Sequence, residues 1–308
     1  MTIDPIELHL YVADWPLVLC GPIVRRVTRT SACVFLAARE PFDGSLVVYD
    51  STGADRQALP QSGASRHSVA LGAKLHVCVL ESTGMALEPG RIYGYDLDLD
   101  FTPSGRRDLA SLGLLDGPLP LGYVIGELPS FVLPGALDRL KIAHGSCRKA
   151  HGCDHAALSD PDVLPLIDRL IELNRTDPYG RIQQLLLAGD QIYSDDVPAA
   201  LLAALTSAGR LLMQWGQPEV FPDRRNQEVF TDNHVRVDPG DRSAFLDDQG
   251  VKNRPPDADP QTWSDYAANH LLFFSEWCAM PGRSSMSATI NTLEASDSLF
   301  MLGETLRP

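Results

Sequence analysis

The stretch Gln184-Leu-Leu-Leu-Ala-Gly-Asp-Gln-Ile-Tyr-Ser-Asp-Asp196 decides how the rest of the chain is interpreted. Its apolar run, 184–188, has the length of one buried strand in a parallel sheet. Gly189 permits a sharp turn directly after the run, and three carboxylates follow, on Asp190, Asp195 and Asp196. Ligands of open α/β sheets bind beyond the carboxyl ends of the strands. The stretch therefore predicts an acid cluster that faces a crevice and suits a hard cation. The alternative is an acidic turn that caps a following helix, since Asp196-Val-Pro198 is also a good helix start.

Composition limits the classes of protein and partner. The chain has 308 residues, a net charge of −14 and a pI near 4.9. This length favours two domains, and the acidic balance argues against nucleic acid or an anionic membrane as a main partner. Neither a signal peptide nor an apolar run of roughly 20 residues is present in the sequence. Six scattered cysteines without Cys-x-x-Cys pairs indicate a reduced, cytoplasmic protein.

The N-terminal third is predicted to be all-β. Short strand-like runs recur between turn signals at 17–20, 32–37, 46–49, 67–71, 74–80 and 93–99. The last two alternate between apolar and polar residues, as expected of half-buried antiparallel strands. This series predicts an immunoglobulin- or fibronectin-like sandwich over residues 1–101. Residues 102–140, rich in Gly, Pro and Leu, are interpreted as a connector whose apolar side chains need cover.

From Lys141 the pattern alternates between strand and helix. A strand at 141–147, a helix with an apolar face at 163–171 and the strand at 184–188 form a predicted βαβ unit. Further helices are predicted at 198–213 and 262–276. Residues 141–280 are thus an α/β domain, and 281–308 form an atypical tail without amphipathic patterning.

Side chains at the ends of the two predicted strands suggest a metal site. Cys147 ends the first strand, and Asp190 follows the second strand 43 residues later. Neighbouring strands lie about 5 Å apart, so both side chains are expected to reach one ion, and Tyr193 is expected to turn its oxygen inward. Thiolate, carboxylate and phenolate together suit an iron-like metal better than magnesium. The alternatives are a buried, inert Cys147 and a Tyr193 that only packs in the core.

Other reactive side chains give weaker signals. His151, Cys153 and His155 have the composition of metal ligands, but their spacing fits no standard zinc pattern, and we interpret them as a surface loop. His144 is predicted to be a core histidine. Ser146 lacks the Gly-x-Ser-x-Gly setting of a nucleophile.

Three motifs together carry a family resemblance. Gly21-Pro-Ile-Val-Arg-Arg-Val27, His144-Gly-Ser-Cys-Arg-Lys149 and Leu187-Ala-Gly-Asp-Gln-Ile-Tyr-Ser-Asp-Asp196 resemble, in this order, the PhoD-like (alkaline phosphatase D) metallophosphatases of the calcineurin-like metallophosphoesterase superfamily. The resemblance covers about residues 17–280, and the segment around Gly189 and Asp190 is its most specific part.

The resemblance implies a fold, a reaction and a set of ligands. It implies an N-terminal β-sandwich followed by an α/β/β/α metallophosphatase domain with iron and calcium. Carried over by motif position, Cys147, Asp190 and Tyr193 would be metal ligands, and Arg148 would face the phosphate as a catalytic residue. The implied reaction is hydrolysis of a small phosphomonoester or phosphodiester by metal-bound hydroxide.

The chain also departs from the family pattern. The family continues with an Asp-Asp-His type motif and later histidines, which this sequence does not contain before Pro308. We expect the native reading to end near Met280 through truncation or a frame shift, and we expect little or no phosphatase activity from this chain. The alternative is a non-catalytic interaction protein that uses the β-sandwich as a binding module.

Overall fold

The computed structural model describes residues 15–63, 65–117, 120–146, 164–189, 197, 199–215, 219–222, 229–231, 242 and 270–280. These residues form two compact units. The first unit holds the described residues of 16–146 and 164–189. The second unit holds Trp15 and those of 197–280.

Antiparallel β-structure dominates the first unit. Its first nine strands are β1 (Val18–Val27), β2 (Ser31–Ala38), β3 (Phe42–Tyr49), β4 (Arg66–His67), β5 (Val69–Gly72), β6 (Leu75–Thr83), β7 (Ile92–Phe101), β8 (Gly105–Arg107) and β9 (Ser130–Val132). One sheet has the order β1-β2-β6-β5. The other has the order β4-β3-β7-β8, with β9 also paired to β7. Five of the six strand-like runs of the N-terminal third are confirmed, whereas the run at 67–71 is divided between β4 and β5, which belong to different sheets.

The two sheets share one apolar core. Alternate side chains of β2 and β6 point into it, and so do those of β3 and β7 in the other sheet, as expected where one face of each sheet is buried. Members of this core that are at most 2% exposed include Val34, Leu36, Leu80, Leu46, Val48, Tyr95, Leu97 and Leu99. The arrangement is compatible with the predicted β-sandwich.

The segment interpreted as a connector is built into this core. Residues 102–140 supply β8 and β9, which pair with β7. They also bury Leu109, Leu115 and Leu128, each at most 4% exposed. The apolar side chains that were expected to need cover are therefore buried in the core that the two sheets share.

A βαβ unit completes the first unit. After a 3₁₀ helix (Leu137–Arg139) come β10 (Ile142–Gly145), α1 (Leu164–Leu173) and β11 (Gln184–Leu187). The parallel pairing of β10 and β11 confirms the predicted βαβ order. The expected burial of β11 is wrong, because Leu186 and Leu187 are each 42% exposed. Within the described residues these two strands pair only with each other, so their faces lack the cover that a wider sheet would have.

The second unit contains the remaining elements. These are α2 (Ala199–Met213), an antiparallel pair formed by β12 (Val220–Pro222) and β13 (Val229–Thr231), and α3 (Phe274–Ala279). The predicted helix at 198–213 is confirmed. No helix in the described part of the chain is long and apolar enough to cross a membrane.

The helix predicted at 262–276 is wrong in its last part. Residues 270–273 are not helical, and α3 begins only at Phe274. The Glu276 carboxylate accepts hydrogen bonds from the backbone N–H groups of Leu272, at 3.0 Å, and Phe273, at 3.3 Å. These bonds satisfy N–H groups at the start of α3 and fix the beginning of the helix there.

Candidate functional site

The candidate site lies at the ends of β10 and β11. The two strands run in parallel with Ile142 opposite Gln184 and Gly145 opposite Leu187. The pairing continues one residue further, because the Ala188 N–H donates to the Gly145 carbonyl oxygen at 2.9 Å. The chain therefore leaves both strands at the same edge of the sheet.

The sequence-predicted site residues follow this edge directly. Cys147, Arg148, Asp190 and Tyr193 all lie outside the described residues, and so do His151, Cys153 and His155. The described residues that lead to them are Gly145, two residues before Cys147, and Leu187, three residues before Asp190. The structure thus brings together the two strand ends that deliver the predicted ligands.

Gly189 shapes the exit from β11. Its φ is +87°, in the left-handed region that a residue with a Cβ atom rarely adopts. A glycine at this position lets the chain turn directly after the strand. The sequence predicted a sharp turn at this glycine, and the backbone confirms it.

Polar contacts at the opposite edge hold the two strands in register. The Lys141 ammonium donates to the Gly180 carbonyl oxygen at 2.9 Å. The Gln183 N–H donates to the Lys141 carbonyl oxygen at 3.0 Å, and the Gln183 side-chain oxygen accepts from the Lys141 N–H at 3.2 Å. Because a slip by one residue would turn every side chain to the other face, these contacts also decide which residues emerge at the candidate site.

The connecting helix is anchored to the rest of the first unit. The Tyr123 hydroxyl donates to the Asp168 carboxylate at 2.8 Å, and Ile171 is 5% exposed. These contacts hold α1, which connects β10 to β11 along the chain. The helix is therefore tied to the segment that contains Tyr123.

The described residues around the strand ends are open to solvent. His144 is exposed, so its interpretation as a core histidine is wrong: it lies opposite Leu186 on a strand pair that has little cover. Ser146 is exposed as well. In the described part of the chain, no three His, Cys, Asp or Glu side chains are close enough to hold a metal ion. A cation at this edge would depend on the residues that follow Ser146 and Gly189.

Two buried arginines were not predicted from the sequence. Arg181, just before β11, is 3% exposed, and Arg242 in the second unit is 1% exposed. Their contacts come from Ser130, 51 residues away, and Glu276, 34 residues away. Local sequence carries no signal for burial that depends on such distant partners.

Comparisons of the chain with family models, with curated proteins and with solved structures gave no match.

Proposed function

We propose that the adjacent ends of β10 and β11 carry a cation site and that the chain has the scaffold of a PhoD-like, metal-dependent phosphoesterase. The parallel register of the two strands carries this proposal, since it places the exits to Cys147 and Asp190 side by side. The α/β metallophosphatase domain is part of the proposal, and the βαβ order of β10, α1 and β11 supports it.

The donor set fits one cation. Cys147 would supply a thiolate, Asp190 a carboxylate and Tyr193 a phenolate, a combination that suits an iron-like metal. Bound there, the cation would supply positive charge that activates water and neutralises phosphate oxygens. A pair of ions such as iron and calcium needs about twice as many ligands, because transition metals and calcium each take four or more. The three donors therefore fit a single ion and do not fit a pair.

The roles of the chain's own residues follow from their positions. Cys147, Asp190 and Tyr193 hold the ion, and Gly189 sets the direction of Asp190. Arg148, next to Cys147, would bind the phosphate of a small phosphoester and orient it, because a guanidinium matches two phosphate oxygens. Because the ligand set for a pair of metal ions is incomplete, we propose that hydrolysis by this chain is weak or absent.

A cytoplasmic location belongs to the same proposal. The four described cysteines, Cys20, Cys33, Cys78 and Cys278, are free thiols. Free thiols are typical of proteins in reducing compartments.

Equilibrium dialysis against iron(II) and calcium tests the proposal. We expect one iron per chain, no second ion at comparable affinity, and hydrolysis of bis(p-nitrophenyl) phosphate barely above the rate of the buffer. Two tightly bound ions with rapid hydrolysis would contradict the incomplete site. No bound metal at all would contradict the cation site and favour a non-catalytic interaction protein.

A further inference from the structure

Arg181 is a buried cation on the far side of β11 from the candidate site. It precedes Gln184, the first residue of β11, whereas the candidate site follows Leu187, the last one. Its side chain is almost fully enclosed, at 3% exposure. The guanidinium donates from Nη1 to the Oγ of Ser130 in β9, at 3.1 Å. Ser130 is itself buried, at 8% exposure.

Among the residues that the structure describes, no counter-ion balances this charge. Arg181 forms no ion pair with any residue that the structure describes, and the Ser130 hydroxyl is the one side-chain hydrogen-bond partner shown for its guanidinium. The one electrostatic influence shown to favour its charge comes from Tyr123. Burial acts against the charge and lowers the pKa of Arg181 from its ordinary value.

The other buried arginine shows what a balanced arrangement looks like in the same molecule. Arg242 donates to both carboxylate oxygens of Glu276, at 2.7 and 2.8 Å, and to the His270 carbonyl oxygen at 2.7 Å. A buried charge without such a partner is costly, and proteins rarely keep one. Within the described part of the chain Arg181 is therefore an exception, and an anion from outside the chain would balance it.

Arg181 has donors that no described residue accepts from. A guanidinium has five N–H donors, and Ser130 accepts from one of them. None of the Arg181 nitrogens is among the described side-chain polar atoms that are both fully enclosed and without a hydrogen-bond partner, so the nitrogens that Ser130 does not bind reach solvent. A hydroxyl that accepts one hydrogen bond can also donate one, so Ser130 offers a further donor.

We propose that Arg181 and Ser130 form a binding site for a small oxyanion, either a phosphate or a carboxylate group. Both groups offer two oxygens to the paired N–H donors of a guanidinium, and the Ser130 hydroxyl adds a third donor. The site is separated from the candidate cation site by the length of β11. It stands independently of the proposed phosphoesterase function, and its occupation stabilises the first unit.

Thermal unfolding of the full chain at constant ionic strength tests the site. Sodium phosphate replaces sodium chloride in one series and sodium acetate replaces it in a second. We expect a saturable rise in Tm of about 2–4 °C for the wild type in phosphate, by preferential binding to the folded state. The rise is absent in Arg181→Met and reduced in Ser130→Ala. It is retained in the matched control Arg91→Met, which removes an exposed arginine near Glu88 and Asp50.

Each outcome of this experiment decides the proposal. A rise in phosphate alone assigns a phosphate group, and a rise in both series assigns a site that also takes carboxylates. No saturable rise in either series, or an equal rise in Arg181→Met, overturns the proposal. If Arg181→Met does not fold, Arg181→Lys replaces it, because lysine keeps the charge and loses the paired donors. Its phosphate affinity is expected to fall, and an unchanged affinity also overturns the proposal.

Discussion

Substitution by alanine is expected to have opposite effects on stability at Gly189, after β11, and at Gly145, the last residue of β10. Gly189 has a φ of +87°, so an alanine there would hold an L side chain in the left-handed region, at a cost of about 1–2 kcal/mol. Gly145 does not have a positive φ, and a Cβ atom added to it would lie 3.5 Å from Leu187 Cδ2, which is ordinary van der Waals contact. Gly145→Ala is therefore expected to be neutral or to stabilise the fold by up to about 1 kcal/mol.

Urea titration followed by far-ultraviolet circular dichroism measures this difference. With a urea m-value of about 2 kcal/mol/M, Gly189→Ala is expected to lower the midpoint of the transition by about 0.5–1 M relative to the wild type. Gly145→Ala serves as the matched control. It adds the same methyl group at the end of β10, the strand that pairs with β11.

The result that would refute this reasoning is a midpoint for Gly189→Ala equal to or above that of Gly145→Ala. It would mean that the chain after β11 does not need a left-handed residue.

The remaining predictions concern the Arg242–Glu276 ion pair of the second unit and the thiols of Cys20 and Cys278. Arg242→Met is expected to lower the free energy of unfolding by about 3–5 kcal/mol, because it leaves the Glu276 carboxylate buried without its cation. Thr206→Val, which removes one hydrogen bond of 2.6 Å to that carboxylate, is expected to cost about 1 kcal/mol. Urea titrations check both values, and equal losses would contradict this ranking. Burial opposes the charge of Glu276, but hydrogen bonds from Arg242 outweigh it, so its pKa lies below the ordinary value. This stabilisation is complete above the unfolded-state pKa of about 4.3 and is lost as the pH falls through the lower folded-state pKa. The stability difference between wild type and Arg242→Met should therefore shrink in acid, and a difference independent of pH would contradict this assignment. Burial raises the pKa of the Cys20 and Cys278 thiols to about 11, so at pH 8 only about one thiol in a thousand is ionised. Iodoacetamide should modify them slowly before unfolding, as followed by peptide mass spectrometry, and rapid labelling of both thiols in the native chain would contradict their raised pKa.

Sequence alone predicted the long strands because their alternation reports directly which side chains face the core. Tyr93, Tyr95, Leu97 and Leu99 alternate with polar residues along β7, and each is at most 1% exposed. The same pattern at 74–80 became β6. In such strands local sequence and tertiary packing require the same conformation.

Elements defined by distant partners could not be predicted. β8 and β9 are three residues long and carry no alternation that distinguishes them, and they exist because β7 offers an edge for pairing. The beginning of α3 depends on the Glu276 carboxylate and on Arg242, which lies 34 residues earlier in the chain. Apolar periodicity does not report such contacts.

The candidate site was predicted in part. The order of strand, helix and strand indicated that two strand ends would be neighbours, and the register of Gly145 with Leu187 confirms this. The exposure of Leu186 and His144 was not predicted, because a sequence does not state how many strands a sheet contains. The roles of Cys147 and Asp190 remain predictions.

Cobalt(II) binding tests the central claim most directly, because a thiolate ligand gives cobalt an intense charge-transfer absorption. We predict this absorption for the wild type and for Cys33→Ala, a control that removes a described free thiol outside the site. We predict its loss in Cys147→Ala, and weaker binding of cobalt in Asp190→Ala. An absorption that survives Cys147→Ala, or an affinity that Asp190→Ala leaves unchanged, would contradict a shared cation at the ends of β10 and β11.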